Sequence, residues 1–494
     1  MDGIRAGDPE VIVIGGGPAG AGIARLLASR GRSVTLVVPP ADPTRGLGES
    51  LPPSARKSLA AVGVLEAVES AGFCASRGNR VAWGGEPPRL ESFDTEGRVS
   101  GFQVWRPALD RLLLDCAVAV GATVESALVR RVEIRDDGPV DVTVASASGA
   151  TRSLQSRFVV DASGRAGVIA RRYGRVAHPV RTHAWIGLWQ YDQPITGSSL
   201  ETTLVESCDT GWAWSVPVSP TLRCAAVMVD PDRSGADTAG SLETRYRNEI
   251  ARARHLRDEL RSASFVRVWG ADATPYRTRA LGGPTHLVIG DAAQCIDPLS
   301  SIGVKKALAS AWHGAAVVET CLATPALAST ALEFFSAEEQ AIHDRQIARS
   351  AEYAARACAA HDSAFWRARA DVATRPARPA ADDPVRVRAA FDVLRSHLHA
   401  RVRRSASAAF TWKPAIAGHA IALERAVTAA AMPVAVRYLD SVDLPALVDL
   451  ATESREVGEL FERYCRTAAP VPLPNFLKAL SVLVAGQALE AAHG

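Results

Sequence analysis

The sequence predicts an α/β protein with three parts: a body on a parallel sheet, an antiparallel sheet inserted into it, and a helical C-terminal region. Three observations carry this. A short apolar strand, Val11–Ile14, passes through a glycine turn into a helix and on to a second strand, Val34–Val38; strand–helix–strand order of this kind builds parallel sheets. Between residues 183 and 230 the hydrophobic period becomes two, with Gly, Pro and Ser clusters between the runs, the pattern of antiparallel strands. Beyond residue 325 the pattern is almost wholly helical.

The elements follow in order. After Val38 a Gly-Glu-Ser-Leu-Pro loop leads into a helix from about 53 to 63, and a second helix from 105 to 121 carries Leu109, Leu112, Leu113, Ala117 and Val120 at helical spacing. Strand-like runs follow at 123–128 and 140–144, then the apolar strand Phe158–Val160 ending in Asp161. The period-two strands are His183–Tyr191, Thr202–Ser207, Trp212–Val218 and Leu222–Asp230. A continuous apolar strand at 286–289 and a long helix at 304–322 complete the parallel-sheet body with sequence far from its start. The remainder predicts helices over 332–370, 385–405 and 415–432, a Pro-containing linker over 374–384, and about three more helices between 443 and 493.

Composition narrows the class. A chain of 494 residues is long enough for two or three domains with a large core. Lys plus Arg number 56 against 53 Asp plus Glu, a net charge of only +3, which argues against a nucleic-acid binder. No apolar run approaches the roughly 20 residues of a membrane span, and the Met1–Arg5 start has no signal-peptide pattern; the expected location is cytoplasmic. Eight cysteines are scattered with no CxxC pair, giving reduced thiols and no metal-ligand spacing. Only five residues are lysine (57, 305, 306, 413 and 478), leaving 51 arginines.

Gly15, Gly17 and Gly20 form G-x-G-x-x-G between a strand and a helix. The first glycine permits the turn, the second lets a pyrophosphate approach the backbone, and the third lets the helix pack closely, with its N-terminus facing the phosphates. A dinucleotide in a Rossmann-type domain is the expectation. The acid that usually ends the second strand is missing, since Val37 and Val38 run into Pro39 and Pro40; Glu49 or Arg106 would then meet the ribose.

Two further segments select the dinucleotide. Phe158–Gly164, with Asp161 and Gly164, resembles the second glycine-bearing strand end of FAD-dependent hydroxylases, and His286–Ala293, with Gly290 and Asp291, resembles their Gly-Asp motif. Gly48–Pro53 resembles the Gly-Glu-x-x-x-Pro loop of the flavin-dependent tryptophan halogenase superfamily, Trp212–Pro217 its W-x-W-x-I-P signature, and Asp297–Gly303 its Asp-Pro loop beside the flavin. The resemblance implies an FAD-binding domain made of 1–80, 102–177 and 270–325, a substrate-binding β-sheet domain made of 81–101 and 178–269, and a helical C-terminal region, 326–494. It implies FAD contacts from Gly15, Gly17, Gly20, Glu49, Arg106, Asp161, Gly164, Gly290, Asp291, Pro298 and Gly303.

Halogenases of this kind use a lysine just after the first helical pair, and tryptophan-specific ones a glutamate after the Gly-Asp motif. Here Gly72–Arg80 holds no lysine and Ser300 stands where the glutamate would. Arg77 and Arg80 are poor substitutes, because a guanidinium is delocalised and permanently charged. The expected reaction is therefore aromatic hydroxylation through a flavin C4a-hydroperoxide. The Asp-Pro-Leu-Ser-Ser loop is similar to that of maturation flavoproteins that hydroxylate a tryptophan of a partner polypeptide on the way to cysteine tryptophylquinone, of the lysine ε-oxidase and glycine oxidase maturase type and the quinohemoprotein amine dehydrogenase biogenesis type. This implies a protein or peptide substrate, and electrons from NAD(P)H or a partner flavin reductase; the alternative is a halogenase or hydroxylase of a small or carrier-bound aromatic metabolite. Trp185, Trp189, Trp212 and Trp214 are the candidate substrate-binding residues, with Tyr191 beside them. Ser300, Ser301 and His183 are the catalytic candidates; no metal is implied. Lys57, the one lysine before residue 305, sits too early for the halogenase position.

Overall fold

The computed structural model describes residues 7–40, 46–93, 99–135, 138–233, 240–372, 384–396, 400–432, 434–453 and 455–492. The N-terminal segment 1–5 and the linker expected at 374–384, apart from Pro384, lie outside these residues. The chain divides into two compact units, 1–375 and 376–494.

The first unit is built on a six-stranded sheet. Its order runs Gly282–Gly283, His286–Val288, Phe158–Asp161, Val11–Ile14, Val34–Val38 and Thr123–Ser126. The last five strands are mutually parallel, in register Val11 opposite Phe158 and Val34, and Val159 opposite His286. Val11, Ile12, Val13, Phe158, Val159, Val160 and Leu287 are fully buried, as a sheet covered on both faces requires. Parallel strands present their carboxyl ends at one edge, so the loops after Ile14, Asp161 and Val288 open together, the usual place for a ligand in such sheets. Helix Pro18–Ser29 has proline at its first turn and follows the glycine loop directly.

The second sheet has seven strands in the order Ala263–Asp272, His183–Tyr191, Leu222–Val229, Gly211–Ser219, Thr202–Cys208, Gly78–Ala82 and Arg89–Ser92. Every pair is antiparallel except Thr202–Cys208 with Gly78–Ala82, which is parallel. Strand Gly48–Leu51 lies flat against it: a Cβ on Gly48 would fall 2.7 Å from Cys224, Val216 and Val218. Both faces are covered. One packs Trp185, Trp189, Val227 and Tyr246, the other Trp83, Ile186, Trp212, Val216 and Trp366. Helices Gly303–Ala323, Ala328–Cys358 and Ala364–Ala370 complete this unit.

The second unit carries helices Pro384–Ser396, Leu444–Leu450, Val457–Thr467 and Leu473–Ala485 around a core of Val402, Leu447, Val448, Leu460, Phe476 and Leu480. Two expectations are corrected here. Of the helix expected at 385–405, Pro384–Ser396 is helical and Arg401–Arg404 is a strand. The helix expected at 415–432 is instead a hairpin, Ala409–Ala417 with Ala420–Thr428. Its two-residue link begins with Gly418 at φ +60°, the position where a type II′ turn needs glycine. Alanine-rich composition imitates a helix, and turn geometry overrides it. Among the described residues no helix is long and apolar enough to cross a membrane.

Candidate active site

The three motif loops meet at the carboxyl edge of the parallel sheet, and their glycines show how closely. Gly15 has φ +107°, and a Cβ there would lie 2.4 Å from the Ala162 carbonyl oxygen. A Cβ on Gly20 would lie 1.9 Å from the Gly15 oxygen, and one on Gly290, at φ +61°, 2.7 Å from Ala19 Cβ. Gly17 differs: its φ is an ordinary −73° at the helix N-cap, and a Cβ there would meet nothing within 4 Å. Nothing within the protein demands glycine at 17, whereas a pyrophosphate resting on the helix N-terminus does. At the end of the second strand Val38 fills the place of the usual acid, close enough that a Cβ on Gly16 would strike it at 2.8 Å.

Asp161 is fully buried and serves the loop rather than a ligand. Its carboxylate accepts from Ser163 N–H (3.0 Å), Ser163 Oγ (2.5 Å), Ile169 N–H (2.7 Å) and Ala170 N–H (2.9 Å). The expectation that it contacts the cofactor is corrected: those four donors use its acceptor sites. Gly164, at φ +63°, opens the turn that these bonds hold.

Beside this edge lies a cleft of about 870 Å³, partly open to solvent. Leu47, Glu49 and Ser50 form one wall, Thr203, Val205, Trp212 and Trp214 of the antiparallel sheet a second, and Asp291 with Cys295–Ser301 and Gly303 a third. The third wall is a loop under local constraint. Asp297 caps it by accepting the Leu299 N–H at 2.9 Å, Pro298–Ser300 make one 3₁₀ turn, and Ser301 is held left-handed at φ +50°, a costly conformation for a non-glycine residue. The loop delivers Gly303 at the N-terminus of a 21-residue helix to the cleft, where unpaired N–H groups and the helix dipole favour negative charge.

Charged residues brace these walls. Arg106 donates to Glu49 Oε1 at 3.2 Å and to both Asp110 oxygens at 3.1 and 3.2 Å. Burial pushes the Glu49 carboxyl above its ordinary range, with the Arg106 guanidinium pulling it back. Lys306, which sequence reading did not single out, has a side chain with no solvent exposure. It donates to Gly290 O and Asp291 Oδ1, both at 3.1 Å, and to Gln294 O, tying the Gly-Asp turn to the long helix. Burial lifts the Cys295 thiol to about 11, so it stays protonated beside Arg165, which donates to its sulfur at 2.9 Å.

Glu49, Asp291, Pro298, Ser300, Ser301, Gly303, Trp212 and Trp214 thus come together in one cleft. Four candidates of the His183–Tyr191 strand do not. Along His183–Tyr191, residues 184 and 186 face the Trp212 side, so His183, Trp185 and Trp189 point to the opposite face. Trp189 Nε1 donates to Tyr246 Oη at 2.8 Å, Trp185 packs in the same cluster, and His183 Nε2 sits 3.4 Å from Arg181. Tyr191 Oη donates to the Glu259 carbonyl on that face. Expectations for these residues at the substrate are corrected by strand parity.

The lysine question has a geometric answer. None of the residues lining the cleft is lysine. Lys57 is exposed on helix Ala55–Ala61, and Lys305 reaches Ser54 Oγ at 3.1 Å. Arg77 is paired with Glu201 at 3.0 Å and Arg80 with Glu259. Of the segment Gly72–Arg80, Ser76 approaches the cleft, its Oγ 3.0 Å from Oγ of the wall residue Ser50.

The residues present fit a flavin. Among the described residues, the buried hydroxyls of Thr203 and Ser300 line the cleft with no protein partner, and such atoms call for a ligand or ordered water. The open space above Gly17 and the helix terminus at Gly303 supply the phosphate cradle and the anion-stabilising end.

Comparison with known proteins agrees. Residues 8–318 match the FAD binding domain family. A tryptophan 2-halogenase of Chondromyces crocatus is 30% identical over 334 residues, 66% of this chain and 64% of that protein, just under two thirds of its length. The crystal structure of CmlS, a flavin-dependent halogenase, superposes with TM-score 0.78 at 23% identity, covering 99% of this chain and 97% of that one. The peptidyl tryptophan dihydroxylase QhpG, essential for tryptophylquinone cofactor biogenesis, superposes with TM-score 0.69 at 22% identity, covering 97% and 99%. The chain belongs to the FAD binding domain family.

Proposed function

We propose that this chain is a monooxygenase that hydroxylates an indole ring, the substrate being a tryptophan side chain of a partner polypeptide during quinone cofactor biogenesis. The observation that carries the reading is the cleft wall without a lysine, since Arg77 and Arg80 are committed to Glu201 and Glu259. The likeness to a peptidyl tryptophan dihydroxylase over nearly the whole of both chains supports the substrate class. FAD, when bound, supplies the activation of dioxygen. The chain's own residues do the rest. The N-terminus at Gly303 stabilises negative charge at the reacting end, while Trp212, Trp214 and Leu299 hold an aromatic ring and keep water out. Lys306 holds Asp291, and Arg106 holds Glu49, in place.

In this reading 1–80, 102–177 and 270–325 bind FAD, 81–101 and 178–269 present the substrate, and 326–494 forms the helical region. Electrons come from NAD(P)H or a partner flavin reductase, and the protein works in the cytoplasm. The second reading, halogenation of a small or carrier-bound aromatic metabolite, is favoured by the halogenase relatives in sequence. Turnover of the reduced holoenzyme in air with a tryptophan-bearing peptide and excess bromide separates the two by mass spectrometry. Gain of oxygen without bromine is the expected result; a brominated product overturns the hydroxylase reading.

A further inference from the structure

Asp297 stands in a wall shared by two cavities. It lines the cleft, and it also lines a smaller side pocket behind Trp212 and Leu299, together with His178, Ser350, Trp366 and Arg369. Its Oδ1 is engaged by the Leu299 N–H at 2.9 Å; among the described residues Oδ2 has no hydrogen-bond partner. The charged groups facing it come from two neighbouring elements. His178, ahead of the His183–Tyr191 strand, and Arg369, on helix Ala364–Ala370, both act on its charge.

Those two neighbours differ in availability. Arg369 is spent on the protein: it donates to Asp230 Oδ2 at 3.4 Å, Phe365 O at 3.1 Å, Arg181 O at 2.5 Å and Thr182 Oγ1 at 2.9 Å. It also lies 3.6 Å from the Phe365 ring centroid. Arg233 and Asp230 complete the charges around it. His178 keeps only Nδ1 on the backbone of Val180, 3.2 Å from its carbonyl oxygen and 3.3 Å from its nitrogen, and Nε2 remains for the pocket.

Electrophilic transfer to an aromatic carbon, whether of oxygen or of halogen, leaves that carbon with its new bond and its original hydrogen. Aromaticity returns when the C–H bond breaks, its electron pair re-entering the ring and the proton leaving for a base. The oxidant is the two-electron one that reduced flavin makes from dioxygen, and the ring supplies the electron pair of the new bond. We propose that Asp297 is the base that takes this proton and that His178, a positioning residue, passes it on through the side pocket. The inference rests on the reading above, that the substrate is an aromatic ring.

The surroundings suit the roles. Burial raises the Asp297 carboxyl above the ordinary aspartate range, opposed by the Leu299 N–H, Arg369 and His178, which makes it a better proton acceptor than a surface aspartate. Burial lowers the His178 imidazole, so it is neutral and ready to receive a proton, with Asp297 partly offsetting that effect. Asp297 works ionised, so turnover should rise with pH through an acid limb above the ordinary aspartate range.

The test uses the FAD-loaded full chain with a tryptophan-bearing peptide as probe. Asp297→Asn keeps an oxygen for the Leu299 N–H but cannot take a proton. It is expected to lower product per dioxygen consumed at least about 100-fold, in line with loss of a general base, and to erase the acid limb. Independently of turnover, the ¹⁵N imidazole titration of His178, assigned by His178→Gln, should move to lower pH in Asp297→Asn, because the carboxylate no longer stabilises the imidazolium. Unchanged coupling and an unchanged acid limb overturn the role of Asp297, as does an unmoved titration for the pair. If wild type modifies no aromatic probe, the proposed function falls while the titration still decides the pair. Should Asp297→Asn fail to fold, His178→Gln carries the same comparison of pH limbs, and an unaltered profile there overturns the relay.

Discussion

Single glycines separate what the fold needs from what the ligand needs. Gly20→Ala would force a Cβ to 1.9 Å from the Gly15 carbonyl, so the loop must move, and the protein is expected to purify almost free of flavin with a lowered unfolding midpoint. Gly17→Ala meets no protein atom and should change stability by about 1 kcal/mol or less, the scale of an N-cap substitution. Its FAD dissociation constant should nevertheless rise at least tenfold in a flavin-fluorescence titration; an unchanged constant would place the pyrophosphate elsewhere. Lys306→Met strands two carbonyls and the Asp291 carboxylate without their shared donor. A cost of about 1–3 kcal/mol in urea unfolding is expected for leaving buried carbonyls without their donor, with weakened FAD binding. Lys57→Met, on an exposed helix face, should stay within about 0.5 kcal/mol of wild type. Both glycine positions were legible from spacing, Gly20 because backbone approaches backbone there and Gly17 because the motif leaves room for a pyrophosphate. Lys306 was not: a lysine reads as solvated until the fold closes over it.

At the scale of elements, parity decides more than composition. Five aromatic residues of the antiparallel sheet all read as candidates for the cleft, since both faces of that sheet are buried and a period of two does not say which face meets the cleft. Only the strand pairing tells Trp212 and Trp214 from Trp185 and Trp189. Trp189→Ala should accordingly cost about 3–5 kcal/mol of stability through lost packing on Tyr246 and Phe265, with FAD content retained; loss of flavin instead would contradict its placement. The hairpin at 409–428 escaped notice for the opposite reason, an alanine-rich stretch whose strand character lies in its turn. Gly418→Ala is expected to cost about 1–2 kcal/mol, the penalty of a left-handed side-chain residue, measurable by thermal unfolding. A further relay, Ser207 Oγ to His361 Nε2 at 3.0 Å and His361 Nδ1 to Asp209 at 2.8 Å, has the order of a hydrolytic triad. Here Ser207 is buried and accepts the Gly84 N–H at 2.9 Å, so it fastens His361 to the sheet edge. His178 and Asp297, 119 positions apart in the chain, share a pocket only once the inserted sheet has folded, which is why no acid–base pair was visible beforehand.

For the whole molecule, every residue that lines the cleft belongs to the first compact unit. A fragment ending at Arg375 is therefore expected to bind FAD within about threefold of the full chain, checked by the same titration; loss of binding would show that the second unit is needed to hold the first. The Ser50–Ser76 contact bears on the choice between the two proposed readings, oxygen transfer and halogen transfer. Ser76 is fully buried at the place where the segment Gly72–Arg80 reaches the cleft wall. Ser76→Lys would send an ammonium along the path its hydroxyl already marks, toward Ser50, in a chain whose remaining walls already suit a flavin. On the proposed hydroxylase reading, the step from oxygen transfer to halogen transfer would then be a single side chain on one short strand, and Ser76→Lys is the substitution with which to cross it.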